Sequence, residues 1–128
     1  MDGILLIGHG SRASKANEAM YQVARDLKAT TQYEIVECCF LEISQPDIGT
    51  GLTNCLQAGA DRIIVVPYFL NLGNHVQQDL PRIIGDWLLA APDVEVIMGQ
   101  HFGYSPKLVE LVQERINDAI STFERSGS

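Results

Sequence analysis

Four short apolar runs rich in strand-forming residues punctuate the chain, at positions 3–8, 33–41, 62–66 and 94–98. Each has the length and composition of a strand buried on both faces. Between them apolar side chains return every three or four positions, the spacing of one helical face. Ala16, Ala19, Met20, Val23, Ala24 and Leu27 form the first such stripe; Leu80, Ile83, Ile84, Trp87 and Leu88 form another. Leu108, Leu111, Val112, Ile116 and Ile120 form the last. Residues 46–58 complete the set as a further helix, with Ser44 or Gln45 near its start and Gly59 just past its end. Pro92 separates the helix of Trp87 from the final strand. Strand and helix therefore alternate four times. That order predicts a single three-layer α/β lobe, its four-stranded, mainly parallel sheet flanked by helices through right-handed crossovers.

Length and composition narrow the class. At 128 residues the chain is read as one domain over 1–124, with 125–128 expected to be a disordered tail. No stretch approaches the roughly 18 apolar residues of a membrane span, and no basic leader with a cleavage site opens the chain. A cytoplasmic location without membrane contact is the expectation. The formal charge of −7 argues against sequence-independent nucleic-acid binding, which needs clustered Lys and Arg. The three cysteines, Cys38, Cys39 and Cys55, include no C-x-x-C pair and are expected to be small buried hydrophobes. Adjacent in a strand, Cys38 and Cys39 should point to opposite faces.

In a parallel sheet of this kind, ligands bind beyond the carboxyl ends of the strands. His9 follows the first strand, Glu42 the second, residues 67–75 the third and His101 the fourth. "GHGSR" at 8–12 lacks the spacing of a phosphate loop and of a nucleophile elbow, so Ser11 is read as the cap of the first helix. His9 then either satisfies a turn carbonyl or serves chemistry; Glu42 is either a solvated loop carboxylate or a partner to it. "VPYFLNLGNHVQQDLP" at 66–81 sets Tyr68, Phe69, Leu70 and Leu72 on a loop ahead of Gly73 and His75. These apolar side chains either bury the loop or line a pocket for a flat, greasy molecule. Asp79 is placed in the first turn of the next helix, where a carboxylate suits the dipole. His101 is read as a surface or lining residue. Two histidines and a glutamate offer nitrogen and oxygen donors to one divalent ion.

"GHGSR", "FLE" at 40–42 with Pro46 soon after, and the loop over 67–75 with Asp79 and Pro81 downstream together resemble the signature segments of the CbiX-type sirohydrochlorin chelatases, in their short single-lobe form. The resemblance covers nearly the whole chain. It implies ATP-independent insertion of a divalent metal into sirohydrochlorin, with cobalt expected first and iron or nickel as alternatives. No permanently bound cofactor is implied, since the metal is a substrate. His9 and His75 correspond to the paired histidines that handle the metal and its protons, and Glu42 to the acidic residue near them. Gly10, Ser11 and Arg12, with Tyr68, Phe69, Leu70, Gly73 and Asn74, are the implied tetrapyrrole contacts. A later family segment with histidine before proline matches Ser105-Pro106 here, so that role is not carried to His101. Because larger chelatases have two such lobes, a homodimer is expected. A metal or tetrapyrrole carrier without turnover is the alternative from another class.

Overall fold

The computed structural model describes residues 1–127 and contains four strands and four helices in strict alternation. β1 (Asp2–Gly8), β2 (Ile35–Phe40), β3 (Arg62–Pro67) and β4 (Glu95–Met98) form one sheet in the order β2-β1-β3-β4. Every pairing is parallel, so the expected "mainly parallel" sheet is wholly so. The helices are α1 (Ser14–Thr30), α2 (Ile48–Gln57), α3 (Asn74–Leu88) and α4 (Pro106–Arg125). Arg125 closes α4 rather than opening a loose tail, and Ser128, the end of that expected tail, lies outside the described residues.

Side chains alternate across a strand, and β1, at the centre of the sheet, is apolar on both faces. Leu5 and Ile7 point to one side, where Leu52 and Cys55 of α2 and Leu80 and Ile84 of α3 bury them with Ile63, Val65 and Cys39. Gly51 permits this approach: a Cβ there would stand 2.7 Å from that of Cys39. Ile4 and Leu6 face the other way, against Met20 and Ala24 of α1 with Cys38 and Phe40. Cys38 and Cys39 thus occupy opposite faces as expected, and all three thiols are buried. Burial pushes Cys38 up to about 11 and Cys55 up to about 12, and raises Cys39 further.

Helix ends depart from the sequence reading. α2 is capped by Asp47, whose carboxylate accepts from the Thr50 amide at 2.8 Å, not by Ser44 or Gln45. Phe40 bridges to Asp47, so Pro46 and Asp47 belong to the strand-end turn and cannot join the helix. Ser11 does not cap α1; its hydroxyl accepts from the Ala13 amide, and Ala13 itself is the cap residue. α3 begins at Asn74, several residues before its apolar stripe, and carries Pro81 inside it. Asp79 consequently sits in the second turn, paired with Arg82 at 3.4 Å.

The faces are covered unequally. On the α1 side of the sheet, Ile64 and Val66 are only half-buried, and Ile97, in register with Ile64, is 41% exposed. α4 starts conventionally, with Ser105 as cap and Pro106 in its first turn. None of its residues is buried, and Val109, Val112, Ile116, Ile120 and Phe123 are each more than half exposed. The predicted stripe exists, but it has no counterpart within the chain among the described residues.

Candidate active site

β1 and β2 end side by side, and their following turns are joined by main-chain bonds. The Leu41 amide donates to the Gly8 carbonyl at 2.9 Å and the Glu42 amide to the His9 carbonyl at 3.2 Å. Only glycine fits at position 10. Its φ is +101°, and a Cβ would fall 1.8 Å from the Glu42 carbonyl oxygen. On the facing turn Ile43, a β-branched residue, takes φ +69°, a strain of about 1–3 kcal/mol. Ser44 folds back, its amide donating to the Glu42 carbonyl at 2.7 Å.

This backbone brings His9 Nε2 to 3.6 Å from Glu42 Oε1, with both side chains more than half exposed. The separation is too long for a hydrogen bond. It suits a shared ion, because two donors each about 2.1 Å from one tetrahedral metal stand roughly 3.4 Å apart. Phe69 meets the imidazole edge-on, with ring centroids 5.9 Å apart, so the loop after β3 flanks His9 as the sequence suggested. Tyr68 and Phe69 are half-buried, whereas Leu70 is 58% exposed. The first two therefore do part of the work of seating the loop, and Leu70 is left facing outward.

Asn74 and His75, read as loop residues, are the first two residues of α3. Both are exposed, and no side chain caps the helix start at Gly73. The first-turn amides of α3 are therefore free to meet an anion. α1 likewise begins without a side-chain cap, beside exposed Arg12 and Lys15. Among the described residues no group of three His, Cys, Asp or Glu side chains converges on one point, so His75 stands apart from the His9–Glu42 pair. His101 is half-buried in a separate groove with Leu72, Gln77, Pro81 and Met98.

The cleft beside His9 measures about 220 Å³ and is lined by Gly8, Gly10, Ser11, Asn17, Met20, Phe40 and Tyr68 among others. Asn17 was not singled out from the sequence, nor was Ser44 beyond its place near a helix start. The signal for Asn17 was present: it lies on the inward stripe with Met20 and Ala24, a polar residue on an apolar face.

The fold is one shared with the lobes of known chelatases. The sirohydrochlorin chelatase SirB from Bacillus subtilis subspecies spizizenii, solved in complex with cobalt, superposes with a TM-score of 0.84 at 32% identity, over 91% of this chain and 50% of that one. The chain belongs to the CbiX family, whose model matches residues 3–119. It is 35% identical over 118 residues to the sirohydrochlorin ferrochelatase of Priestia megaterium, covering 92% of this chain and 44% of that protein. It is 26% identical over 140 aligned positions to the sirohydrochlorin cobaltochelatase of Methanopyrus kandleri, covering 94% and 98%. The chain thus spans less than half the length of one relative and nearly all of the other.

Proposed function

We propose that the protein is a sirohydrochlorin chelatase, inserting a divalent metal into the macrocycle without nucleotide, with Co²⁺ as the first choice of metal and Fe²⁺ or Ni²⁺ as alternatives. The observation that carries this is the His9–Glu42 pair, held at ion-sharing distance on the open edge of a chelatase lobe. Insertion exchanges metal-bound water for four ring nitrogens and releases two pyrrole protons. A neutral imidazole serves as ligand or base near neutral pH. His9 and His75 share metal delivery and proton removal, and Glu42 holds the ion or orients His9. A site with few protein ligands suits an ion that must leave again; a closed cage of four would retain it.

The substrate's carboxylates require positive partners, although the protein carries −7 overall. Arg12, unpaired among the described residues, serves this role with the amides of Gly10, Gly73 and Asn74, while the Ser11 amide is already given to the Ser44 hydroxyl. Tyr68, Phe69 and Leu70 supply apolar contact to the ring. Among the described residues no helix is long and apolar enough to cross a membrane; we assign the reaction to the cytoplasm, where three reduced thiols persist.

Enclosure comes from a second copy. A cleft of about 220 Å³ falls short of the roughly 300–1,000 Å³ of small-molecule sites. The homodimer we propose is built by α4, whose apolar stripe covers the open β3–β4 surface of its partner. By two-fold symmetry each copy both donates and receives a helix.

The test is parallel incubation of sirohydrochlorin with Co²⁺, Fe²⁺ and Ni²⁺, with and without catalytic amounts of protein, followed by absorbance. Many turnovers with at least one metal are expected. Stoichiometric binding without turnover would make the protein a carrier.

A further inference from the structure

We propose that Asn17 and Ser44 are positioning residues, a polar clasp that fixes the His9 turn against the Glu42 turn for metal transfer; this rests on the chelatase reading above. The Ser44 hydroxyl uses its full bonding capacity. It donates to the Ser11 carbonyl at 2.8 Å and accepts from the Ser11 amide at 3.1 Å and from Asn17 Nδ2 at 2.8 Å. Asn17 Nδ2 also reaches the Ser11 carbonyl at 3.2 Å. One hydroxyl therefore ties both main-chain polar groups of Ser11, and Asn17 secures the tie from α1.

The clasp sits where the backbone needs holding. His9 and Glu42 are mostly exposed, and among the described residues neither side chain makes a hydrogen bond, so beyond the edge contact of His9 with Phe69 their separation is set by their own main chains. The Glu42 turn contains Ile43 in the left-handed region, a conformation that a β-branched residue leaves readily unless its surroundings hold it. Ser44 follows immediately and is the only side chain of that turn hydrogen-bonded to the His9 turn among the described residues. Asn17 and Ser44 themselves carry no group capable of proton abstraction at neutral pH. They act through the turns they join.

The experiment compares the full chain with Ser44→Ala, Asn17→Ala and Ser44→Thr, the last of which keeps the hydroxyl. Amide hydrogen exchange at Ser11 and Glu42, melting temperature, and kcat and KM for metal insertion are measured on each. Ser44→Ala and Asn17→Ala are expected to speed exchange at Ser11 and to lower kcat by about tenfold to a hundredfold, as misplacement of a reacting group does. KM for sirohydrochlorin is expected to change little, and Ser44→Thr to recover most of the loss. Unchanged kcat in both alanine variants overturns the proposal, as does a Ser44→Thr variant no better than Ser44→Ala. A loss that simply tracks melting temperature overturns it too. If the wild-type chain inserts no metal, the chelatase reading fails separately. Binding of Co²⁺ alone, followed by its visible absorption, then decides the clasp: bands kept in Ser44→Thr and altered in Ser44→Ala support it, and identical bands in all variants overturn it.

Discussion

His9 owes its place to its neighbours' backbone. Gly10 gives the turn its shape, Gly8 leaves room for Met20 beneath it, Glu42 faces His9 at 3.6 Å, and Phe69 stands at its edge. Replacing His9 or His75 with alanine is expected to leave the fold intact, since both side chains lie on the surface, and to cut insertion by about 10²–10⁴-fold. His101→Ala, in a separate groove, is expected to stay within about twofold, as surface changes outside the machinery do. Initial rates of metal insertion on the three variants check this; a fully active His9→Ala or His75→Ala removes the paired-histidine assignment. His9 and Glu42 were legible because each follows an apolar run directly, and the parallel-sheet rule then places them on one edge. The Asn17–Ser44 bond was not legible. It joins residues far apart in the chain, and their meeting depends on how β1 and β2 end, which hydrophobic pattern does not encode.

Among the elements, faces were easier to read than ends. The stripe of α3 and the four strands lie where periodicity places them, and α4 carries its stripe on an exposed face. In α1 only Met20, Ala24 and Leu27 of the expected stripe turn inward, whereas Ala16, Ala19 and Val23 are exposed and Tyr21 packs in their stead. The ends moved because polar side chains and turns decide them: α3 starts at Asn74, ahead of its stripe, and Asp47 rather than Ser44 begins α2. Asp47 makes a specific stability prediction. The Thr50 amide holds its carboxyl below the usual carboxylate range. Its folded pKa is depressed, so its contribution is fully present above the unfolded value of about 3.9 and is lost as pH falls through the folded one. Asp47→Ala should therefore destabilise the protein by about 1 kcal/mol near neutral pH. That difference should shrink below about pH 4. Urea unfolding of both proteins at pH 7 and at pH 3 measures it.

For the whole molecule the unequal cover of the two sheet faces is decisive. Periodicity states that α4 must bury a stripe; it says nothing of which chain provides the surface. With Val112 and Ile116 more than half exposed, the isolated lobe would carry an apolar ridge about 22 Å long. Sedimentation at micromolar concentration is expected to give twice the 14.1 kDa of the chain. Val112→Asp with Ile116→Asp is expected to halve that mass and to depress insertion while the lobe's own melting changes little, because neither side chain is buried within it. A fully active wild-type monomer would exclude the exchanged helix.

The buried cysteines have a consequence for metal traffic. Cobalt, nickel and iron ions are captured avidly by thiolates, and sulfur that holds such an ion competes with any later acceptor. Here the thiols lie inside the two cores, on either side of the sheet, and burial keeps them protonated. An ion arriving at the carboxyl edge meets the exposed nitrogen and oxygen of His9 and Glu42 first, and the Met20 sulfur that lines the cleft beside them is itself buried. On the chelatase reading proposed above, sealing the thiols away would leave the macrocycle as the strongest sink within reach, so that the direction of transfer would be favoured by what the surface withholds.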